Sequence, residues 1–131
     1  MATEVPRGLT LDAGALIQLE QGDRLVWKLL NSAAHGPSRS ITVPAAALAQ
    51  AWRGQGHPNL ARALQACELE PFTPDMAKRA GTLCGLARTS DVVDAAVMVS
   101  AATRGDTVIT TDYDDLARLA ELLPTVRVRR V

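Results

Sequence analysis

"SDVVDAAVMVSAATRGDTVITTDYDDLARLA", residues 90–120, decides how this chain folds. Asp91 stands where a helix N-cap belongs, and the apolar, alanine-containing run behind it continues to Gly105, a residue suited to ending a helix. Thr107 to Ile109 then reads as a strand, and three aspartates follow within four residues, at Asp112, Asp114 and Asp115. Helix, glycine, strand and second helix in that order make one turn of α/β winding. Carboxylates in such density repel one another and gain nothing from burial. Either they only complement the start of a helix, or something cationic belongs among them.

The same alternation extends outward in both directions. Residues 8–11 read as a strand ending at Asp12, and two helices follow in succession with a break at Gly22. "HGPSR", residues 35–39, is a loop, and residues 41–43 form a second strand. Pro44 suits the first turn of the alanine-rich helix "AAALAQAWR", which breaks at residues 54–58. Asn59 is expected to cap a helix through about residue 67, and "LEPF", residues 69–72, to form a third strand. Thr73 and Pro74 open a helix running to about Ala87. Beyond the opening stretch, "DDLARLAELL" is a helix stopped by Pro124, and "TVRVRRV" is a last strand. The pattern predicts an α/β fold with a central, mainly parallel sheet of about five short strands covered on both faces, formed by residues 1–131 as one domain.

Composition removes several function classes. The 131 residues suffice for a sizeable core without disulfides or structural metal, and 47% are hydrophobic, much of that alanine. Fourteen basic residues balance fourteen acidic ones, so any charge-based function is local. Aromatics make up only 3%, which argues against stacking platforms for single-stranded nucleic acid. Cys67 and Cys84 match no metal spacing and read as buried free thiols of a reducing cytoplasm. "MATEVPRG" lacks the layout of a signal peptide, and no apolar run is long enough for a membrane span, so a cytoplasmic, membrane-free protein is expected.

In an open parallel sheet, ligands bind outside the carboxyl ends of the strands. Asp12 and Asp112 follow strands directly, and the helix from Asp91 feeds a strand, so its own start lies at the same rim. Asp91 and Asp94 are three residues apart and share a helix face. Some of these acids have plain structural roles available: Asp91 as an N-cap, Asp114 and Asp115 as partners of a helix dipole. Asp12 and Asp94 are harder to account for, because each is the lone charge in an apolar run with no neighbouring Lys or Arg. A divalent cation would resolve both, and oxygen-only ligands suit Mg²⁺ or Mn²⁺ and phosphoryl chemistry.

Other phosphoryl-transfer patterns on similar sheets do not match. A receiver-type phosphoacceptor wants an acidic pair after the first strand and a lysine after a late one, but Lys28 and Lys78 are both in helical stretches. A haloacid-dehalogenase-type phosphatase wants a second aspartate two residues after the first, where this chain has Gly14. No G-x-S-x-G elbow supports a serine hydrolase.

"LTLDAGALIQL", "VPAAALAQAWRG" and the stretch 90–120 together resemble the PIN-domain nucleases, especially the VapC-like toxins of bacterial toxin–antitoxin pairs. The resemblance spans essentially the whole chain. It implies a three-layer α/β/α sandwich and an acid quartet that binds Mg²⁺ or Mn²⁺. It also implies metal-dependent hydrolysis of RNA, a small antitoxin protein as partner, and a homodimer. Carried over, Asp12, Asp94 and Asp112 would be the catalytic metal ligands, and Asp91, Thr110 and Asp115 auxiliary. The helix glutamate of the family aligns with Gln50, a neutral amide and a weaker ligand. That departure leaves a second reading open, a catalytically weakened PIN-like domain that binds protein or RNA. Glu20 is a conceivable substitute acid, and Arg53, three residues beyond Gln50 on the same helix face, could contact RNA phosphate.

Other residues read structurally. Arg127 and Arg129 alternate with valines as a polar sheet face, His35 and His57 lie in loops, and Met76 and Met98 fit helix cores. Trp27 and Trp52 pack, with Trp52 the better placed for a partner surface.

Overall fold

The computed structural model describes residues 8–35 and 40–131. The chain runs β1 (Leu9–Leu11), α1 (Ala13–Glu20), α2 (Arg24–His35), β2 (Ile41–Pro44), α3 (Ala45–Ala51), α4 (Pro58–Leu64), β3 (Glu68–Glu70), α5 (Pro74–Ala87), α6 (Val92–Arg104), β4 (Thr107–Thr110), α7 (Tyr113–Ala120) and β5 (Arg127–Arg130). The five strands form one sheet in the order β3-β2-β1-β4-β5, and every neighbouring pair is parallel. The expected mainly parallel α/β architecture is therefore the observed one.

β1 is central, and both alternating side-chain sets of it, Leu9 and Leu11 on one face and Thr10 on the other, are buried. Successive connections move one way across the sheet as far as β3, then return to β4 and β5 on the far side of β1. Right-handed crossovers therefore put α1 to α4 on one face and α5 to α7 on the other. β1 and β4 meet where the winding reverses, which is where a crevice opens at the carboxyl rim of such sheets.

A polar cluster locks α6 to this centre. Arg104 at the end of α6 sends Nε to Asp106 Oδ2 (2.8 Å), Nη1 to Glu70 Oε2 (2.5 Å), and Nη2 to Ser100 Oγ (2.8 Å) and Thr10 Oγ1 (3.1 Å). Thr10 in turn donates to Asp106 (2.8 Å). Asp106 is buried, so its charge is tolerable only because the guanidinium and hydroxyl satisfy it. The cluster fixes the register of α6 on β1, and so the relative placement of Asp94 and Asp12.

Several boundaries differ from expectation. α4 begins at Pro58 with His57 in the N-cap position, while Asn59 lies inside the helix and donates to Glu20 O (3.0 Å). Glu20 Oε2 accepts from Leu60 N (2.7 Å), so Glu20 holds the start of α4 and is not a spare rim acid. β3 covers residues 68–70 and not 69–72, because its pairing to β2 runs from Glu68 to Glu70. α7 ends at Ala120, well before Pro124, and α2 continues through His35. The rest of the expected loop, residues 36–39, lies outside the described residues, as do residues 1–7 and the start of "MATEVPRG". Cys67 and Cys84 are free thiols but half-buried, not buried, and burial pushes the Cys67 thiol up to about 11. Trp27 packs with Nε1 on Leu19 O (2.9 Å) and Arg62 over its ring. Among the described residues, no helix is long and apolar enough to cross a membrane.

Candidate functional site

Asp12 follows β1 directly and N-caps α1, its Oδ1 accepting from Ala15 N (2.8 Å). Its backbone amide donates to Ile109 O (3.3 Å), which pins it against the end of β4. Only 4% of Asp12 is exposed, and burial raises its pKa, opposed in part by hydrogen bonds from the Thr110 hydroxyl and the Ala15 amide. Thr110 is fully buried, and its Oγ1 also accepts from Asp112 N (2.8 Å). One hydroxyl thus couples the two strand-end acids.

Asp112 is the N-cap of α7 by position, yet its carboxylate makes no capping bond. It is exposed, and the Thr110 hydroxyl occupies its amide in place of a cap. Asp91 caps α6 by accepting from Asp94 N (3.1 Å). The Asp94 carboxyl is raised to about 7, first by burial, then by the neighbouring Asp91 charge and a carboxyl hydrogen bond to it, and further by Asp12 and Asp112. That mutual influence brings Asp12, Asp91, Asp94 and Asp112 to one rim. Asp115 joins them from α7, lining a cleft of about 120 Å³ with Asp91, Asp94 and Arg118. Among the described residues, no ion pair reaches Asp12 or Asp94.

The donor chemistry fits a hard divalent cation: oxygen ligands only, two of them partly or wholly buried without a counter-charge. As the side chains stand, among the described residues no three carboxylate, imidazole or thiol groups converge closely enough to hold an ion. The Asp112 side chain is exposed and makes no capping bond.

Gln50 and Arg53 stand apart from this arrangement. Gln50 is exposed on α3 and lines neither cleft bordered by the rim acids. Arg53 does not share a helix face with it, since α3 ends at Ala51 and Trp52 is already extended. Arg53 Nη1 instead donates to Ala49 O (3.2 Å) and Trp52 O (3.0 Å), closing the carbonyl end of the helix, and its amide donates to His57 Nε2 (3.0 Å). His57, expected in a loop without a role, therefore sits in the turn between α3 and α4 and packs against Trp52 at 4.9 Å.

The fold recurs in solved structures. The chain matches VapBC2 from Rickettsia felis bound to a promoter DNA fragment at TM-score 0.68, with 12% identity over 94% of this chain and 98% of that one. The PIN-like fold is the fold of this chain. It also matches FitAB bound to an IR36 DNA fragment at TM-score 0.66, with 17% identity over 93% of this chain and 94% of that one. VapBC-5 from Mycobacterium tuberculosis matches at TM-score 0.56, with 23% identity over 96% of this chain and all of that one. No protein-family model and no curated protein sequence matches the chain.

Two features of this PIN-like rim escape sequence reasoning. A Cβ on Gly14 would overlap the Thr111 hydroxyl, so a glycine lets α1 start against the turn after β4. Cys84 reaches toward Asp91 O from α5 (3.7 Å), and its thiol is raised by burial and by Asp91 and Asp94. The first joins segments far apart in the chain, and the second crosses the turn between α5 and α6, whose path the spacing of seven residues does not reveal.

Proposed function

We propose that the chain is a PIN-type, divalent-metal-dependent endoribonuclease. In this reading it is the toxin of a toxin–antitoxin pair in the cytoplasm, with residues 1–131 working as one domain and two copies pairing as a homodimer. The observation that carries the reading is the unneutralised carboxylate pair Asp12 and Asp94, both with raised pKa, at the point where the sheet winding reverses. Solved structures of the same fold that are toxin–antitoxin complexes support the choice of partner, a small antitoxin protein.

Asp12, Asp94 and Asp112 would hold Mg²⁺ or Mn²⁺. Bound there, the ion would supply an activated water for attack on an RNA phosphodiester and neutralise charge on the leaving oxygen. Thr110 orients Asp12 through its hydroxyl, Asp91 fixes the start of α6 so that Asp94 faces the rim, and Asp115 adds negative charge beside them. Arg53, exposed at the end of α3, is the candidate phosphate contact.

A second reading has its own observation. The neutral Gln50 is exposed and away from the acid clefts, which favours a weakened domain that binds protein or RNA without cutting. Cleavage of mixed cellular RNA with Mg²⁺, Mn²⁺ or chelator separates the two. Metal-dependent cutting is expected, lost by more than about a hundredfold in Asp12→Asn and Asp112→Asn with folding intact, since Asn caps helices as well as Asp. Wild-type activity in both variants would remove the acids from the mechanism. Absence of cutting by the wild-type chain would favour the binding module.

A further inference from the structure

A second cleft, of about 350 Å³, opens on the rim beside Asp112 and is bordered by Tyr113, Asp114 and Arg130. Tyr113 is the first residue of α7 and adjoins Asp112 in the chain, yet 37% of it is exposed. The Arg130 guanidinium from β5 lies over its ring, 5.0 Å from the centroid, and reaches Asp114 Oδ1 at 3.5 Å. A low total of aromatics has no bearing on where one tyrosine stands, and this one stands next to a rim acid.

We propose that Tyr113 and Arg130 form a subsite for one unpaired nucleobase of single-stranded RNA, next to the phosphodiester addressed by Asp112. The proposal rests on the nuclease reading and specifies its substrate class. Charge selects the base over a phosphate. Asp112, Asp114 and Asp115 line this cleft and repel an anion, and Arg130 is already matched by Asp114. A nucleobase is neutral, has a π face for both the phenol ring and the guanidinium, and can offer exocyclic amino hydrogens to carboxylate acceptors. Size agrees, because the cleft falls within the range of small-ligand sites, whereas the 120 Å³ cleft beside Asp94 does not. Stacking on a side chain requires a base splayed from its neighbours, which a duplex withholds.

The test measures anisotropy of a fluorescein-labelled single-stranded RNA hexamer with the full chain in Ca²⁺, alongside hexamers carrying one abasic position each. Tyr113→Ala is expected to weaken binding about tenfold, while Tyr113→Phe, which keeps the ring, stays within about twofold. One abasic position should weaken the wild type by about the same factor and leave Tyr113→Ala unaffected, because both changes remove one contact. If Tyr113 only ties α7 to β5, its loss lowers the melting temperature while the abasic effect persists in the variant, and the subsite is overturned. Wild-type binding no tighter to single strand than to duplex also overturns it. Cleavage is read separately. Abasic discrimination without cutting keeps the subsite and removes the nuclease, whereas cutting with an unchanged KM in Tyr113→Ala keeps the nuclease and removes the subsite.

Discussion

Asp94 enters α6 one turn behind its N-cap, and its carboxyl faces that of Asp91 closely enough to share a proton. Burial and three neighbouring carboxylates lift it from 3.8 to about 7. A carboxyl raised on folding holds its proton more tightly in the folded chain. Its stabilising effect is complete below the unfolded value of 3.8 and is lost as the pH climbs through about 7. Asn keeps the shape without the charge. In chelator, Asp94→Asn should therefore raise the melting temperature more at pH 8 than at pH 5, and comparison with wild type cancels groups common to both. An equal gain at both values would mean that Asp94 is not under charge stress. The sequence marks Asp12 and Asp94 because each is a lone acid in an apolar run. It does not mark the double duty of Thr110, since a hydroxyl suits a strand whether or not it bridges two acids.

At the scale of elements, α3 departs furthest from expectation. Its seven residues end at Ala51, so the glutamine that aligns with the usual acid is in its last turn, and Arg53 lies outside the helix altogether. Alanine propensity foretells the helix, but not that Trp52 turns extended, a choice set by packing against His57 and the Arg53 bonds to the helix carbonyls. Gln50→Glu would add one carboxylate at the same chain length. Because the position is exposed, solvent screens its charge, and the gain in Mg²⁺ or Mn²⁺ affinity should be a few-fold, about 1 kcal/mol or less. Calorimetric titration of both proteins would show it; unchanged or weaker binding would mean that this residue does not face the ion.

For the molecule as a whole, the rim is an electrostatic cost of the folded state that a cation would remove. The unfolded chain has no such assembled site, so binding adds to the stability of the fold. At about a hundredfold excess over Kd the addition is about 2.7 kcal/mol, which for a domain of this size is on the order of 10 °C in Tm. Scanning calorimetry with Mg²⁺, Mn²⁺ or chelator should show that rise in the wild type and a smaller one in Asp12→Asn. Identical melting in chelator and metal would sink the metal site independently of any activity.

Hydrophobic periodicity, caps and breakers are local signals, and they determined the α/β alternation, the starts of α5 and α6 at Thr73 and Asp91, and which acids sit behind strands. The order β3-β2-β1-β4-β5 is non-local. It places β1 beside β4, nearly a hundred residues on, and so joins Asp12 to Thr110 and Asp112. The same holds for Arg104, whose partners Thr10 and Glu70 lie far back in the chain, and for Arg130 over Tyr113. A side chain's sequence neighbours report its propensity, but its charge, burial and pKa are set by what the crossovers bring against it.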